Sequence, residues 1–191
     1  PRVIDAFLKV ERHLFVPEKE RPRACEDFPL PIGEGQTISQ PYMAALMTEQ
    51  LKLRGHVRIL EIGTGCGYQS AILAHLGCRV FSVEYRAGLA ERAGKLLHEL
   101  GYDSVRVRAG DGSLGWPEEA PFDRILVAAG APGLPEPLVG QLGRGGRMVI
   151  PLGGEHTQML TLVEKKDTGI ETTDICECAF VPLRGAHGWK G

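Results

Sequence analysis

Ile59-Leu60-Glu61-Ile62-Gly63-Thr64-Gly65-Cys66-Gly67-Tyr68 reads as a buried strand that runs into a glycine-rich turn. The apolar run Val57, Ile59, Leu60 and Ile62 ends at three glycines spaced by two. Beyond Gly67, the residues Tyr68, Ala71, Ile72, Ala74 and Leu76 predict a helix over 67–76. Glycine is needed where a backbone turns tightly or approaches a ligand closely. The start of a helix offers unpaired N–H groups. A nucleotide-type cofactor is expected at this turn.

The spacing narrows which cofactor. A dinucleotide fingerprint places glycines first, third and sixth. Counted from Gly63, the third residue is Gly65 but the sixth is Tyr68, so that pattern fails. No Gly-Lys-Ser/Thr follows, so the P-loop pattern fails as well. The run Glu-x-Gly-x-Gly-x-Gly instead resembles the first motif of S-adenosylmethionine (SAM) methyltransferases. Glu61 suits a ligand that carries a cation and would repel a pyrophosphate.

Two more strand ends carry polar signals in the expected order. Arg79-Val80-Phe81-Ser82-Val83-Glu84 is a strand ending in an acid. An acid about 20 residues past the first glycine is placed to bind ribose hydroxyls, and a carboxylate accepts two hydrogen bonds from a diol. Val105-Arg106-Val107-Arg108-Ala109 leads into Gly110-Asp111-Gly112, where Asp111 could accept from an adenine amino group or a nearby backbone N–H. By itself each is an ordinary strand end or turn; three in sequence point to a cofactor site.

The chain has 191 residues, enough for one domain with an ample core. With 43% hydrophobic and 24% charged residues it has the composition of a globular protein. A net charge of −2 gives no pull toward nucleic acid. Arg106 and Arg108 alternate with valines and read as a solvated face. No apolar run is long enough to span a membrane. Pro1 is no initiator, so the native N-terminus is expected to be missing, and a removed leader stays possible. The five cysteines are odd in number and lack framework spacing. Cys176 and Cys178 would share one strand face, but no second pair completes a metal site. No metal is expected, and the thiols suit a reducing cytoplasm.

Along the chain, Val3 to Leu14 has helical spacing. Arg21 to Tyr42, rich in proline and glycine, reads as an ordered functional loop. Met43 to Leu51 is predicted to be a helix, with Ser39 or Gln40 near its start and Pro41 in its first turn. Strands are predicted at 57–62, 79–84, 104–109, 123–128 and 146–151, and helices at 67–76, 87–100 and 135–142. This alternation implies an α/β fold with a doubly wound, mostly parallel sheet. Met159 to Val163 and Cys176 to Val181 lack a helix between them and predict a C-terminal antiparallel strand pair. The chain thus divides into N-terminal helices and loop (1–56), a Rossmann-like cofactor core (57–153) and C-terminal strands (154–191) of one catalytic domain.

Several blocks resemble the protein-L-isoaspartate O-methyltransferases, a protein-repair family. They are Arg12-His13-Leu14-Phe15-Val16-Pro17, the run from Pro29 to Pro41 containing Gly35-Gln36-Thr37-Ile38-Ser39-Gln40-Pro41, and Glu61 to Gln69. Gly110-Asp111-Gly112, Ala120-Pro121-Phe122-Asp123, Gly145 to Pro151 and Phe180-Val181-Pro182-Leu183 continue the likeness. The Gly-Gln-Thr-Ile-Ser-x-Pro block sets it apart from methyltransferases in general. Cys66 stands where serine is frequent and Ala128 where threonine is frequent; the first adds a thiol beside the cofactor and raises a question of oxidation. The family's first helix is expected to precede Pro1.

The resemblance implies methyl transfer from SAM to the free α-carboxylate of L-isoaspartyl residues in damaged proteins and peptides. S-adenosyl-L-homocysteine is the product, and the ester then closes to a succinimide on the way to Asp. It implies Ser39 as the active-site serine, although Ser39 also stands where a helix cap could. It implies Gln36, Thr37 and Ile38 over the methionine end of the cofactor, with Ile38 also shaping the acceptor channel. Glu61, Gly63, Thr64, Gly65 and Gly67 would hold the methionine and ribose portion, and Glu84 the ribose diol. Gly110, Asp111 and Gly112 would meet the adenine, and Gln158 the substrate backbone. A monomer without nucleic-acid or membrane partners is expected. Two alternatives stay open: a non-catalytic SAM-binding adaptor, and a SAM methyltransferase with another acceptor.

Overall fold

The computed structural model describes residues 2–190. Its centre is a seven-stranded sheet with β3 (Arg58–Ile62), β4 (Arg79–Glu84), β5 (Val105–Ala109), β6 (Phe122–Val127), β7 (Leu142–Gly153), β8 (Gln158–Lys166) and β9 (Gly169–Cys178). A small hairpin, β1 (Leu30–Gly33) and β2 (Gln36–Ile38), stands apart from it. The helices are α1 (Arg2–Lys9), α2 (Pro41–Gln50), α3 (Tyr68–His75), α4 (Ala87–Glu99) and α5 (Glu136–Gln141). The sheet order is β5-β4-β3-β6-β7-β8-β9, parallel from β5 to β7 and antiparallel from β7 to β9. The chain is therefore α/β, with the doubly wound parallel sheet and C-terminal antiparallel pair that the alternation predicts.

Alternation along each strand feeds two apolar layers. Leu60, Ile62, Phe81, Val83, Ile125 and Met148 point to the face covered by Leu138 of α5 and by Trp116. Ile59, Val80, Leu126 and Val149 point to the other face, against Met47 and Leu51 at α2 and Leu73 of α3. A third cluster joins α1, the hairpin and α3 to Leu89 and Leu97 of α4. In α4 the buried residues Leu89, Ala90, Ala93 and Leu97 recur at the spacing of one helix face.

Three expectations change. Val3 to Leu14 is not one helix: α1 ends at Lys9 and a 3-10 turn spans Arg12–Phe15. The loop from 21 to 42 contains β1 and β2, joined through Glu34 and Gly35, which have φ of 51° and 70°. Positive φ at both central residues suits a two-residue hairpin turn, but Glu-Gly is not the usual Asn-Gly signal for it. The last strand ends at Cys178 rather than Val181. Phe180 donates its N–H to Gln158 Oε1 at 2.8 Å and Val181 accepts from Gly130 N at 2.8 Å, so the chain leaves the sheet and runs beside residues 130–131.

Arg106 and Arg108 are also more than a solvated face. The Arg108 guanidinium lies 4.4 Å from the Trp116 ring centre, and Arg106 lies 5.5 Å from that of Phe81. Arg108 pairs with Glu118 at 3.2 Å and Arg106 pairs with Glu119. The two arginines roof the edge of the apolar layer, burying their stems while the charged ends stay wet.

Candidate active site

Helices following β3 and β6 lie on opposite faces of the sheet, so a crevice opens between the carboxyl ends of these neighbouring strands. A cavity of about 320 Å³ occupies it. Its floor is the turn after β3 (Gly63, Thr64, Gly65, Cys66) and Ala128 and Ala129 after β6. One wall is Glu84 at the end of β4 with Tyr85 and Arg86 after it, and Gly112 beyond β5. The hairpin end and the entry to α2, Glu34 to Ser39, close the top. Val181 to Arg184 close the remaining side.

The glycine turn has the shape its composition predicts. Gly63 has φ of 90°, and an added Cβ would meet the Ala128 carbonyl oxygen at 3.4 Å. Gly67 has φ of 89° at the cap position of α3, where a Cβ would lie 3.0 Å from Leu97. A side chain there would strain the backbone and press on the α3–α4 contact. Gly65 donates its N–H to Glu84 Oε2 at 2.8 Å. Arg86 N donates to Glu84 Oε1 at 2.9 Å. Two backbone amides thus hold the Glu84 carboxylate at the cavity wall, with lone pairs left for a diol.

Ser39 lines the cavity. It does not cap α2: Gln40 occupies the cap position without a side-chain cap bond. Asp27, 15 residues upstream of Tyr42, accepts from Tyr42 N at 2.9 Å instead. Gln36, Thr37 and Ile38 line the same cavity, as do Gly63, Thr64, Gly65, Glu84 and Gly112.

Five expected residues lie off the wall. Glu61 is fully buried on the α3 face of β3. Its Oε2 accepts from Ser70 and from Ser82, the latter at 2.6 Å, while Oε1 has no partner among the described residues. Gly67 is buried under α4, and Gly110 continues the ladder through a bond from its N–H to Glu84 O at 2.9 Å. Asp111 spends its oxygens on the protein: Oδ1 accepts from Ser113 N at 2.9 Å and Ser113 Oγ at 2.6 Å, and Oδ2 accepts from Ala186 N at 2.7 Å. Gln158 is 2% exposed; its amide donates to Gly154 O at 2.7 Å and accepts from Phe180 N. Strand alternation turns Glu61 inward, and the C-terminal segment takes up Asp111 and Gln158.

The cavity also takes residues to which the motif reading assigned no role. Tyr68 and Gln69 reach it from α3, and Tyr85 and Arg86 follow the acid of β4. The family-like Val181-Pro182-Leu183 block was visible, but nothing local brings it to this crevice; bonds between Gly130 and residues 181 and 183 do so. Burial pushes the Cys66 thiol up to about 11. A raised thiol carries less of the reactive thiolate at neutral pH. Among the described residues no group of three or more His, Cys, Asp or Glu is arranged to hold a metal ion. No described helix is long and apolar enough to cross a membrane.

Residues 1–188 match the family described as protein-L-isoaspartate(D-aspartate) O-methyltransferase. The chain is 55% identical over 190 residues to protein-L-isoaspartate O-methyltransferase 1 of Syntrophobacter fumaroxidans, covering 100% of this chain and 89% of that one. It is 51% identical over 194 residues to the Syntrophus aciditrophicus protein-L-isoaspartate O-methyltransferase, again with 100% and 89% covered. A solved protein-L-isoaspartate O-methyltransferase is similar with a TM-score of 0.89 at 32% identity; the match covers 97% of this chain and 62% of that chain. A Plasmodium falciparum structure, described as a beta-aspartate methyltransferase in complex with S-adenosyl-L-homocysteine, has a TM-score of 0.85 at 27% identity, with 96% and 90% covered.

Proposed function

Because the chain belongs to the protein-L-isoaspartate(D-aspartate) O-methyltransferase family, we propose that it transfers the methyl group of SAM to the α-carboxylate of L-isoaspartyl residues in damaged proteins and peptides. The observation that carries this reading is the meeting of Ser39 with the Gly63–Gly65 turn and Glu84 around one cavity. The residues present fit SAM. Gly63 and Gly65, both at positive φ, bring bare backbone to the cavity wall, and the held carboxylate of Glu84 stands on the ribose side. Gln36, Thr37 and Ile38 cover the methionine end, and Gly112 borders the adenine end.

When bound, SAM supplies a methyl group already made electrophilic by its sulfonium. The acceptor needs no general base, because an α-carboxyl with a pKa of roughly 3.3–3.7 is ionised at neutral pH. A carboxylate oxygen forms the O–CH3 bond as the C–S bond breaks. The sulfur keeps the electron pair and S-adenosyl-L-homocysteine leaves. The protein's task is alignment, worth on the order of 7–11 kcal/mol. The Ser39 hydroxyl donates to one acceptor oxygen and turns it toward the methyl. The hairpin and the 181–184 segment exclude water.

The setting is the cytoplasm, supported by five free thiols. The net charge of −2 favours protein over nucleic-acid partners. The experiment for the reaction offers labelled SAM with a short isoaspartyl peptide beside its normal Asp twin. Labelling of the isoaspartyl peptide alone is expected. SAM binding without labelling would favour a non-catalytic relative or another acceptor, and labelling of both would mean a less selective carboxyl methyltransferase.

A further inference from the structure

The segment Ser39–Tyr42 is held by two charged side chains that do not line the cavity, Arg12 on Ser39 and Asp27 on Gln40 and Tyr42. Arg12, on the 3-10 turn after α1, is only 6% exposed. Its Nε donates to Ala24 O at 2.8 Å, Nη1 to Ser39 O at 2.9 Å and Nη2 to Phe28 O at 3.3 Å. The guanidinium lies 5.5 Å from the centre of the Tyr68 ring, itself packed edge-on against Phe7 and Phe15. Three main-chain carbonyls, rather than a carboxylate, take its N–H groups. A buried cation without an ion-pair partner is costly, and arginine does not escape by losing its proton.

Asp27 grips the same segment from outside. It is exposed, yet both oxygens are used: Oδ1 accepts from Tyr42 N at 2.9 Å and Oδ2 from Gln40 Nε2 at 3.0 Å. The stretch 24–28 that carries Asp27 is tied to Arg12 through Ala24 and Phe28. Residues 39 to 42 are therefore bracketed by one side chain on the Ser39 carbonyl and another on the start of α2.

We propose that Arg12 and Asp27 are positioning residues for methyl transfer, fixing the Ser39–Tyr42 backbone so that the Ser39 hydroxyl meets the acceptor carboxylate, with the unpaired Arg12 charge drawing that carboxylate into the site. The proposal rests on the isoaspartyl reading above. Arg12 touches two residues of the cavity wall, Ser39 through its carbonyl and Tyr68 through its ring, and Cys66 on that wall also lies within reach of its charge. Among the described residues Arg12 makes no direct ion pair; Asp27 is an acid whose charge reaches it, and the acceptor carboxylate would add a second.

The test compares the wild type with Asp27→Ala, Asp27→Asn, Arg12→Lys and Arg12→Gln. Turnover of the isoaspartyl peptide, its KM, the Kd of S-adenosyl-L-homocysteine and Tm are measured for each. Asp27→Ala is expected to lower kcat about tenfold, since small misplacements of a reacting pair are costly. The Kd should stay within about twofold, and Asp27→Asn should recover most of the loss because its carbonyl still accepts from Tyr42 N. Arg12→Gln should raise the peptide KM about tenfold, whereas Arg12→Lys, which keeps charge but loses the fork, should act mainly on kcat. Should the Arg12 variants fail to fold, Asp27→Ala decides, since its side chain is exposed. An unchanged kcat in Asp27→Ala, or a loss that tracks Kd or Tm, overturns the proposal. A wild type that labels no isoaspartyl peptide would instead sink the reading on which it rests.

Discussion

The hydroxyl of Ser82 on β4 donates to Oε2 of Glu61 on β3 across 2.6 Å. Ser82 Oγ also lies 2.6 Å from Thr64 Oγ1, and Thr64 lines the cavity. With the Ser82 proton committed to Glu61, Thr64 donates to Ser82 and turns its lone pairs outward. The acid of the glycine motif thus acts on the cavity at one remove. It orients a hydroxyl chain beneath the turn, where the motif alone suggested direct contact with a ligand.

Burial raises Glu61 to about 7 from an ordinary 4.5, and Glu84 adds to the rise; bonds from Ser70 and Ser82 oppose it. A raised carboxylate binds its proton in the folded state over pH values at which the unfolded chain has released it. Stability therefore falls as pH climbs from about 4.5 to about 7. Glu61→Gln removes this dependence. Its Tm relative to wild type is expected to improve between pH 5 and pH 8, by the equivalent of about 3 kcal/mol at most. Parallel Tm curves across that range would show that Glu61 is ionised throughout.

Glu84→Ala removes the carboxylate that two backbone amides hold at the wall. The expected result is a loss of S-adenosyl-L-homocysteine affinity of about 1.5–3 kcal/mol, the scale of charge-assisted hydrogen bonds. Calorimetry reads it directly. An unaltered Kd would remove Glu84 from the ribose position.

Ser39→Ala deletes the hydroxyl of a cavity-lining residue that does not occupy the cap position of α2. Turnover is expected to fall about 10- to 100-fold, as for an interaction realised at the reacting centre. Cofactor affinity should stay within about twofold. If Kd worsened as much as kcat, Ser39 would belong to the cofactor.

Gln158→Leu separates a structural role from substrate contact. Its amide carbonyl takes Phe180 N, and its amide N–H groups reach Gly154 and Glu155. Leaving a buried N–H unpaired costs about 1–3 kcal/mol, so Tm should drop while the peptide KM holds. A raised KM with unchanged Tm would return Gln158 to the acceptor channel.

The amino-acid order alone determined what depends on near neighbours. Short apolar runs located β3 to β7, and their separation located the helix at 87–100 that α4 fills. Three glycines spaced by two located the turn after β3. Each signal spans one element, so no distant partner is needed to read it. The general position of Glu84 followed as well, because a parallel strand one crossover away must end beside the first.

Tertiary structure decided where polar groups point and what they spend their bonds on. Glu61 and Asp111 carry the right chemistry, but Ser70, Ser82 and Ala186 claim them. Asp27 caps α2 from 15 residues away, and Gly130 brings Val181 to Arg184 to the cavity. A buried donor or acceptor must find a partner wherever the fold supplies one. That partner lies far along the chain here, so the spacing of residues in sequence carries no trace of it.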